Sequence, residues 1–196
     1  MIEVVDNFLP NVEAVRASAL RSGFGTWRPN KGDIGADSYG GVNFVGDHAS
    51  GFARLQRHVG RQIIPNSMFF RITNDSMEHA LIHSDRGYGE NTAILYLSPT
   101  NPVKSGTGFY RHRETGMEEM PSLEELMKDP VFFQKIRQQM LDADDRDWEI
   151  YQFVESTFNR CLIFNGPKIH CRIPKTGYGS TEDDSRMVWV AHFNIV

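Results

Sequence analysis

The sequence predicts a mainly β fold, a sandwich or jelly roll (a double-stranded β-helix), and three observations carry that prediction. From Met68 onward, short β-branched and aromatic runs follow one another, each about the length of one strand. Clusters of Gly, Pro, Asn and Asp separate these runs, as in antiparallel all-β chains. Helical periodicity is confined to the segment before Pro65 and to a single interruption from about residue 116 to 148. The 196 residues suit one domain, 1–196. Residues 1–66 would form a helical and strand support, and 67–196 the jelly-roll core with its helical insertion.

Taken in order, Ile2 to Val5 reads as a strand. A helix follows, with Pro10 in its first turn, Val12, Val15, Ala19 and Leu20 at helical spacing, and Gly23 and Gly25 as its stop. From Arg28 to Gly51 the expectation is loops with one short strand near Val42 to Val45. A second helix is expected over Phe52–Ile64, with Phe52, Leu55, Val59 and Ile63 on one face and Pro65 ending it. Strands are then expected at Met68–Thr73, Ala80–Ser84, Thr92–Ser98 and Thr107–Arg111. After the insertion, where Ser122 and Glu125 are spaced as a capping box, strands resume at Glu149–Ser156, Arg160–Phe164, Lys168–Ile173 and Arg186–Ile195.

Bulk properties exclude several classes. A formal net charge of −4 argues against a general nucleic-acid binder, which needs a basic surface to meet phosphates. No apolar run has the length of a transmembrane helix, and the first residues lack the basic and apolar regions of a signal peptide. Cys161 and Cys171 are too few for a disulfide framework, so a cytoplasmic protein with reduced thiols is expected.

The chemistry lies in His83-Ser84-Asp85. Alternate residues of a strand share a face, so an imidazole and a carboxylate can both look into the barrel. They form two legs of a 2-His-1-carboxylate face, which leaves coordination positions open as iron(II) oxygenases require. A third leg must come from a distant strand, and His170, in Lys168-Ile169-His170-Cys171-Arg172, has the same alternation. Taken alone, His-x-Asp is weak evidence. The ordered context adds Thr92 to Pro99, the Gly-x-Gly turn in Ser105 to Tyr110, the run Asn159 to Gly166, then His170 and Arg186.

In that order and spacing, from Met68 to the C-terminus, the chain resembles the 2-oxoglutarate and iron(II)-dependent dioxygenase superfamily, nearest in pattern to its prolyl-hydroxylase-like branch. The resemblance implies that His83, Asp85 and His170 hold iron(II). It implies that Arg186 pairs with the distal carboxylate of 2-oxoglutarate, a task suited to a guanidinium fork, and that the Tyr96 hydroxyl shares that carboxylate. It implies O2 as oxidant, admits ascorbate as an auxiliary, and points to hydroxylation of a small-molecule or peptidyl substrate with release of succinate and CO2. Halogenases of the superfamily lack the carboxylate that Asp85 supplies. Two departures stand out: Val188 replaces the Ser or Thr often found two residues after the Arg, and Arg186 follows His170 sixteen residues later, a longer gap than usual. Arg172 is therefore the alternative anchor.

Two other functions fit a jelly roll. A cupin-type metalloenzyme without 2-oxoglutarate would cluster three histidines and a glutamate, yet the chain has no His-x-His. A non-catalytic binding protein would leave three ligands and Arg186 unexplained. Among the remaining candidates, His112 could meet substrate or end a strand, and His192 shares parity with Arg186 but reads first as a satisfied core histidine. His48, His58 and His79 read as packing or surface residues. Cys171 should face away from the metal. Gly32 to Gly41 could wall the site, and the insertion could close over it. Arg86, Tyr88, Tyr110 and Arg113 near the expected mouth would suit an anionic or amino-acid-like substrate.

Overall fold

The structure is a computed structural model that describes residues 1–28, 39–101 and 104–196. Most of the glycine-rich segment expected to wall the site lies outside the described residues. The elements run β1 (Ile2–Val5), α1 (Val12–Ser22), β2 (Gly25–Trp27), β3 (Tyr39–Asn43), α2 (His48–Val59), β4 (Ile63–Thr73), β5 (Asn91–Tyr96) and β6 (Gly106–His112). They continue with α3 (Leu123–Leu126), α4 (Pro130–Asp142), β7 (Trp148–Glu155), β8 (Cys161–Asn165), β9 (His170–Ile173) and β10 (Arg186–Ile195).

Among the described residues the strands form two antiparallel sheets. The major sheet is ordered β1-β8-β5-β10-β4-β3-β2 and the minor one β7-β6-β9. This is the expected jelly roll, with helices on the outer face of the major sheet and the insertion beneath the minor one. Its middle strands are buried on both faces, so their residues divide by parity. On β10, Met187, Trp189, Ala191 and Phe193 pack outward with Val12, Val15 and Leu55 of the two N-terminal helices. Val188 and Val190 pack inward with Ile94, Tyr96, Phe109 and Phe164. Arg186 and His192 share that inward parity, as do Thr92, Ile94 and Tyr96 on β5.

The second helix differs from expectation at both ends. It begins at His48 because the Asp47 carboxylate accepts from the Ser50 amide at 3.1 Å. It ends at Val59 because Gly60 takes a left-handed conformation, φ 68°. Ile63 and Pro65 therefore belong to β4. Pro65 lies opposite Phe193, beside the register shift at His192/Phe193, where a missing N–H is tolerated. Ala80–Ser84 is not a strand: among the described residues it makes one bridge, His83 to His170. β2 was not anticipated, and the strand expected near Val42–Val45 sits earlier, at Tyr39–Asn43, while Val45 is exposed.

The insertion is tied down. Its capping box forms as expected, Ser122 with Glu125. Leu126, Ile136, Met140 and Trp148 are buried with Ile82, Tyr110, Ile169 and Cys171 from the core. His112 is buried, bonds Thr115 at 2.9 Å and Gln139 of α4 at 3.2 Å, and lies 4.9 Å from the Trp148 ring. It braces the insertion rather than ending a strand in solvent.

Candidate metal centre

His83 and His170 meet through the backbone first. The His83 amide donates to the His170 carbonyl at 3.0 Å, and the His170 amide returns the bond at 2.8 Å. Residues so paired across antiparallel chains project their side chains to one face, and the two imidazoles stand 4.4 Å apart. Two residues on, the Asp85 amide donates to the Gly166 carbonyl at 2.8 Å. One irregular ladder thus sets all three residues against the β8–β9 turn.

Each imidazole is held at Nδ1. That of His83 bonds the Leu81 carbonyl at 2.8 Å, and that of His170 the Lys168 carbonyl at 2.9 Å. A carbonyl only accepts, so Nδ1 carries the proton and Nε2 presents a lone pair. Both Nε2 atoms turn toward Asp85, at 3.7 Å from Oδ1 for His83 and 3.5 Å from Oδ2 for His170. Donor atoms of the three residues lie within 4.8 Å of one another, a spacing that could hold a metal ion. The His83 side chain is half exposed, at 46%, while those of His170 and Asp85 are buried. Access is therefore from the His83 side.

Electrostatics keep His170 neutral and Asp85 ionised. Burial pushes the His170 imidazole down to about 4, so it is neutral near pH 7. Burial also opposes ionisation of Asp85, but His170, His192 and His83 around it outweigh burial and hold its pKa well below the carboxylate range. Two residues not assigned to the site from sequence meet the same carboxylate. The Thr92 hydroxyl donates to Asp85 Oδ2 at 2.8 Å, and His192 Nε2 lies 3.5 Å from that oxygen. His192 is held in turn by Ser67 Oγ, 2.6 Å from its Nδ1. It is a satisfied, buried histidine, as expected, but it stands against the Asp85 carboxylate. Its inward parity with Arg186 was the available signal.

The three residues open onto a cavity of about 450 Å³. Arg186 and Arg172 both reach it from buried positions, and the Nε of each lacks a hydrogen-bond partner. The Arg172 guanidinium is lowered to about 10, by burial first and then by Arg71 and Arg186. Tyr96 does not line the cavity. Its hydroxyl bonds Thr107 Oγ1 at 2.8 Å, and the Arg186 guanidinium lies 5.9 Å from its ring. Thr107, which sequence reasoning left unassigned, lines the wall at that place. Leu81, Ile82, Met120, Met140 and Leu141 supply apolar wall, the last three from the insertion. Of the basic and aromatic residues expected at the mouth, only Tyr88 lines the cavity. Arg86 donates to the Met120 carbonyl at 2.8 Å, Arg113 pairs with Glu149 at 3.1 Å, and Tyr110 is buried in the core. His79, read as a surface or packing residue, also lines the cavity. Cys171 packs into the core with Ile82, Tyr110 and Ile169 and does not line the cavity, as expected of a residue on the face opposite His170, and both thiols are free and buried. No helix among the described residues is long and apolar enough to cross a membrane.

Comparison with solved structures finds the same fold in proteins that include two non-haem α-ketoglutarate-dependent enzymes. The epimerase SnoN from nogalamycin biosynthesis superposes with a TM-score of 0.58 at 13% identity, covering 98% of this chain and 77% of SnoN. The carbocyclase SnoK from the same biosynthesis gives 0.55 at 14%, covering 98% and 78%. HygX from Streptomyces hygroscopicus, solved with nickel and 2-oxoglutarate bound, gives 0.53 at 12%, covering 98% and 81%. No curated protein sequence matches the chain. One sequence family does: DUF6445, described as a family of unknown function, matches residues 44–186. The chain belongs to the DUF6445 family.

Proposed function

We propose that the protein is a mononuclear iron(II), 2-oxoglutarate-dependent oxygenase whose metal is held by His83, Asp85 and His170. The observation that carries this reading is the shared aim of two imidazole Nε2 atoms, each fixed by a carbonyl behind it, at one buried carboxylate. Two neutral nitrogens and one carboxylate oxygen on one face fit a divalent first-row metal with positions left for other ligands. The bound metal would supply chelation of the keto acid and activation of O2.

The chain's own residues do the rest. Arg186 receives the distal carboxylate of 2-oxoglutarate: it is buried, lines the cavity and has an Nε without a partner. Tyr96, whose hydroxyl is taken by Thr107, lies behind Arg186 and positions it, so the Thr107 hydroxyl is the group beside the carboxylate. Thr92 and His192 hold Asp85 in orientation. Met120, Met140 and Leu141 exclude water on the substrate side. Because these three come from a packed insertion, we read the insertion as a fixed wall and not as a moving lid. The substrate is a small molecule or peptide side chain, with hydroxylation as the outcome, in one domain spanning 1–196. The prolyl-hydroxylase-like assignment rests on the sequence pattern alone.

The test is succinate release from 2-oxoglutarate by iron-loaded protein, which proceeds slowly in this chemistry without primary substrate. Wild type should release succinate only with iron present, and His170→Ala should release none. Succinate release unaffected by chelation, or by His170→Ala, would sink the reading.

A further inference from the structure

Three arginines line the cavity, Arg71, Arg172 and Arg186, and among the described residues two carboxylates do, Glu78 and Asp85. Counted over arginines and carboxylates alone, the lining has one positive charge more than it has negative ones. A divalent metal and a dianionic keto acid cancel one another, so filling the site as proposed above leaves that excess in place. Buried charge without a partner is costly, and a ligand group of opposite sign removes the cost.

The pairings locate the excess. Glu78 makes an ion pair with Arg71, and Asp85 lies among the histidines. Arg186, on the major sheet, is the anchor for the distal carboxylate of the cosubstrate. Arg172 remains. It stands on the minor sheet, two residues beyond His170 and opposite Thr107. One terminal nitrogen donates to the Glu78 carbonyl, in the segment that leads to His83, while its Nε has no partner and the residue is 9% exposed. The segment bordering Arg172 continues through Ala80, Leu81 and Ile82 into apolar wall, which the insertion extends.

We propose that Arg172 is a substrate-recognition residue, and that the primary substrate of this same site is a monoanionic carboxylate with an apolar body. The single excess charge selects a carboxylate over a phosphate monoester, which carries nearly two negative charges near pH 7. A guanidinium in the cavity wall can give a carboxylate a charge-assisted hydrogen bond from a terminal nitrogen. The inference rests on the oxygenase reading in giving Arg186 to the cosubstrate and in letting metal and keto acid cancel in charge.

Calorimetric titration of nickel-loaded protein tests it, with 2-oxoglutarate added first and then 3-phenylpropionate, its neutral amide or phenyl phosphate. Wild type should bind the carboxylate about tenfold tighter than the amide, and tighter than the phosphate. Arg172→Met should remove that preference and leave 2-oxoglutarate affinity within about threefold of wild type, whereas Arg186→Met should weaken 2-oxoglutarate by about tenfold or more. Arg172→Lys keeps the charge and should retain part of the preference, which separates lost recognition from lost folding. Equal binding of carboxylate and amide, or no binding of either, overturns the proposal. So does a loss of 2-oxoglutarate affinity in Arg172→Met as large as in Arg186→Met, since both arginines would then serve the cosubstrate. If 2-oxoglutarate fails to bind wild type at all, the oxygenase reading falls. The carboxylate preference at Arg172 is then read in the same titration without it, and its absence overturns the inference separately.

Discussion

Thr92 and His192 come from neighbouring strands and meet the same oxygen of Asp85. A carboxylate that must present one oxygen to a metal gains affinity when its other oxygen is held. Thr92→Val keeps the shape and removes the donor, so iron or nickel should bind about tenfold more weakly, with little change in fold. Equilibrium dialysis against metal checks this, and unchanged affinity would show that Thr92 does not orient Asp85. His170 gives the metal-free protein a pH dependence of definite sign. Its imidazole is held near 4 when folded, against 6.5 in an open chain. Above 6.5 neither state takes the proton and the full stability is present. As pH falls from 6.5 toward 4, the unfolded chain binds a proton that the folded one refuses, and stability is lost by up to about 1.4 kcal/mol per pH unit. Asp85 is depressed as well, so its contribution is lost only below its ordinary 3.8. Urea unfolding of chelated protein across that window should show the decline, and His170→Asn should flatten it. The clustering of His83, Asp85 and His170 was legible, because His-x-Asp and a distant strand histidine form a pattern. Thr92 and Thr107 were not, because a hydroxyl in a β-branched strand run looks like any other strand residue.

The β8–β9 turn makes an element-level demand. A Cβ on Gly166 would lie 2.3 Å from the Gly89 carbonyl oxygen and 3.3 Å from that of Asp85. Gly166→Ala must therefore push the Asp85–Gly89 turn outward and lengthen the bond that sets Asp85. Metal affinity should fall about tenfold or more in this variant while most of the fold persists. The insertion makes another. Ile136 is fully buried between α4 and the core, so Ile136→Ala should cost about 2–5 kcal/mol. A loss under about 0.5 kcal/mol, the range of ordinary surface changes, would mean that α4 is not packed as described. Sequence reading found most of these elements. β10 was bounded at both ends because Arg186 to Ile195 is a continuous strand-forming run between polar stretches. It failed at α2, where Phe52, Leu55, Val59 and Ile63 fall on one helical face although Gly60 breaks the helix before Ile63. Ala80–Ser84 misled for a related reason. A partly buried apolar run beside the cavity looks like a strand, but its only ladder partner among the described residues is His170.

Across the whole molecule, the architecture separates support from chemistry. Outward residues of the major sheet pack on α1 and α2, inward residues line the cavity, and the minor sheet with its insertion closes the opposite wall. A fold arranged in this way should be stabilised by what it binds. Metal at about 100 times its dissociation constant should add about 2.7 kcal/mol to the unfolding free energy, and chelation should remove it. The measurement to make is anaerobic titration of metal-free protein with iron(II) and then 2-oxoglutarate, followed by visible absorption. A metal-to-ligand charge-transfer band should grow to one equivalent in wild type, vanish in His83→Ala, and require far more 2-oxoglutarate in Arg186→Ala. Iron binding without a band on adding 2-oxoglutarate, or a band that survives in His83→Ala, would contradict the site as built here.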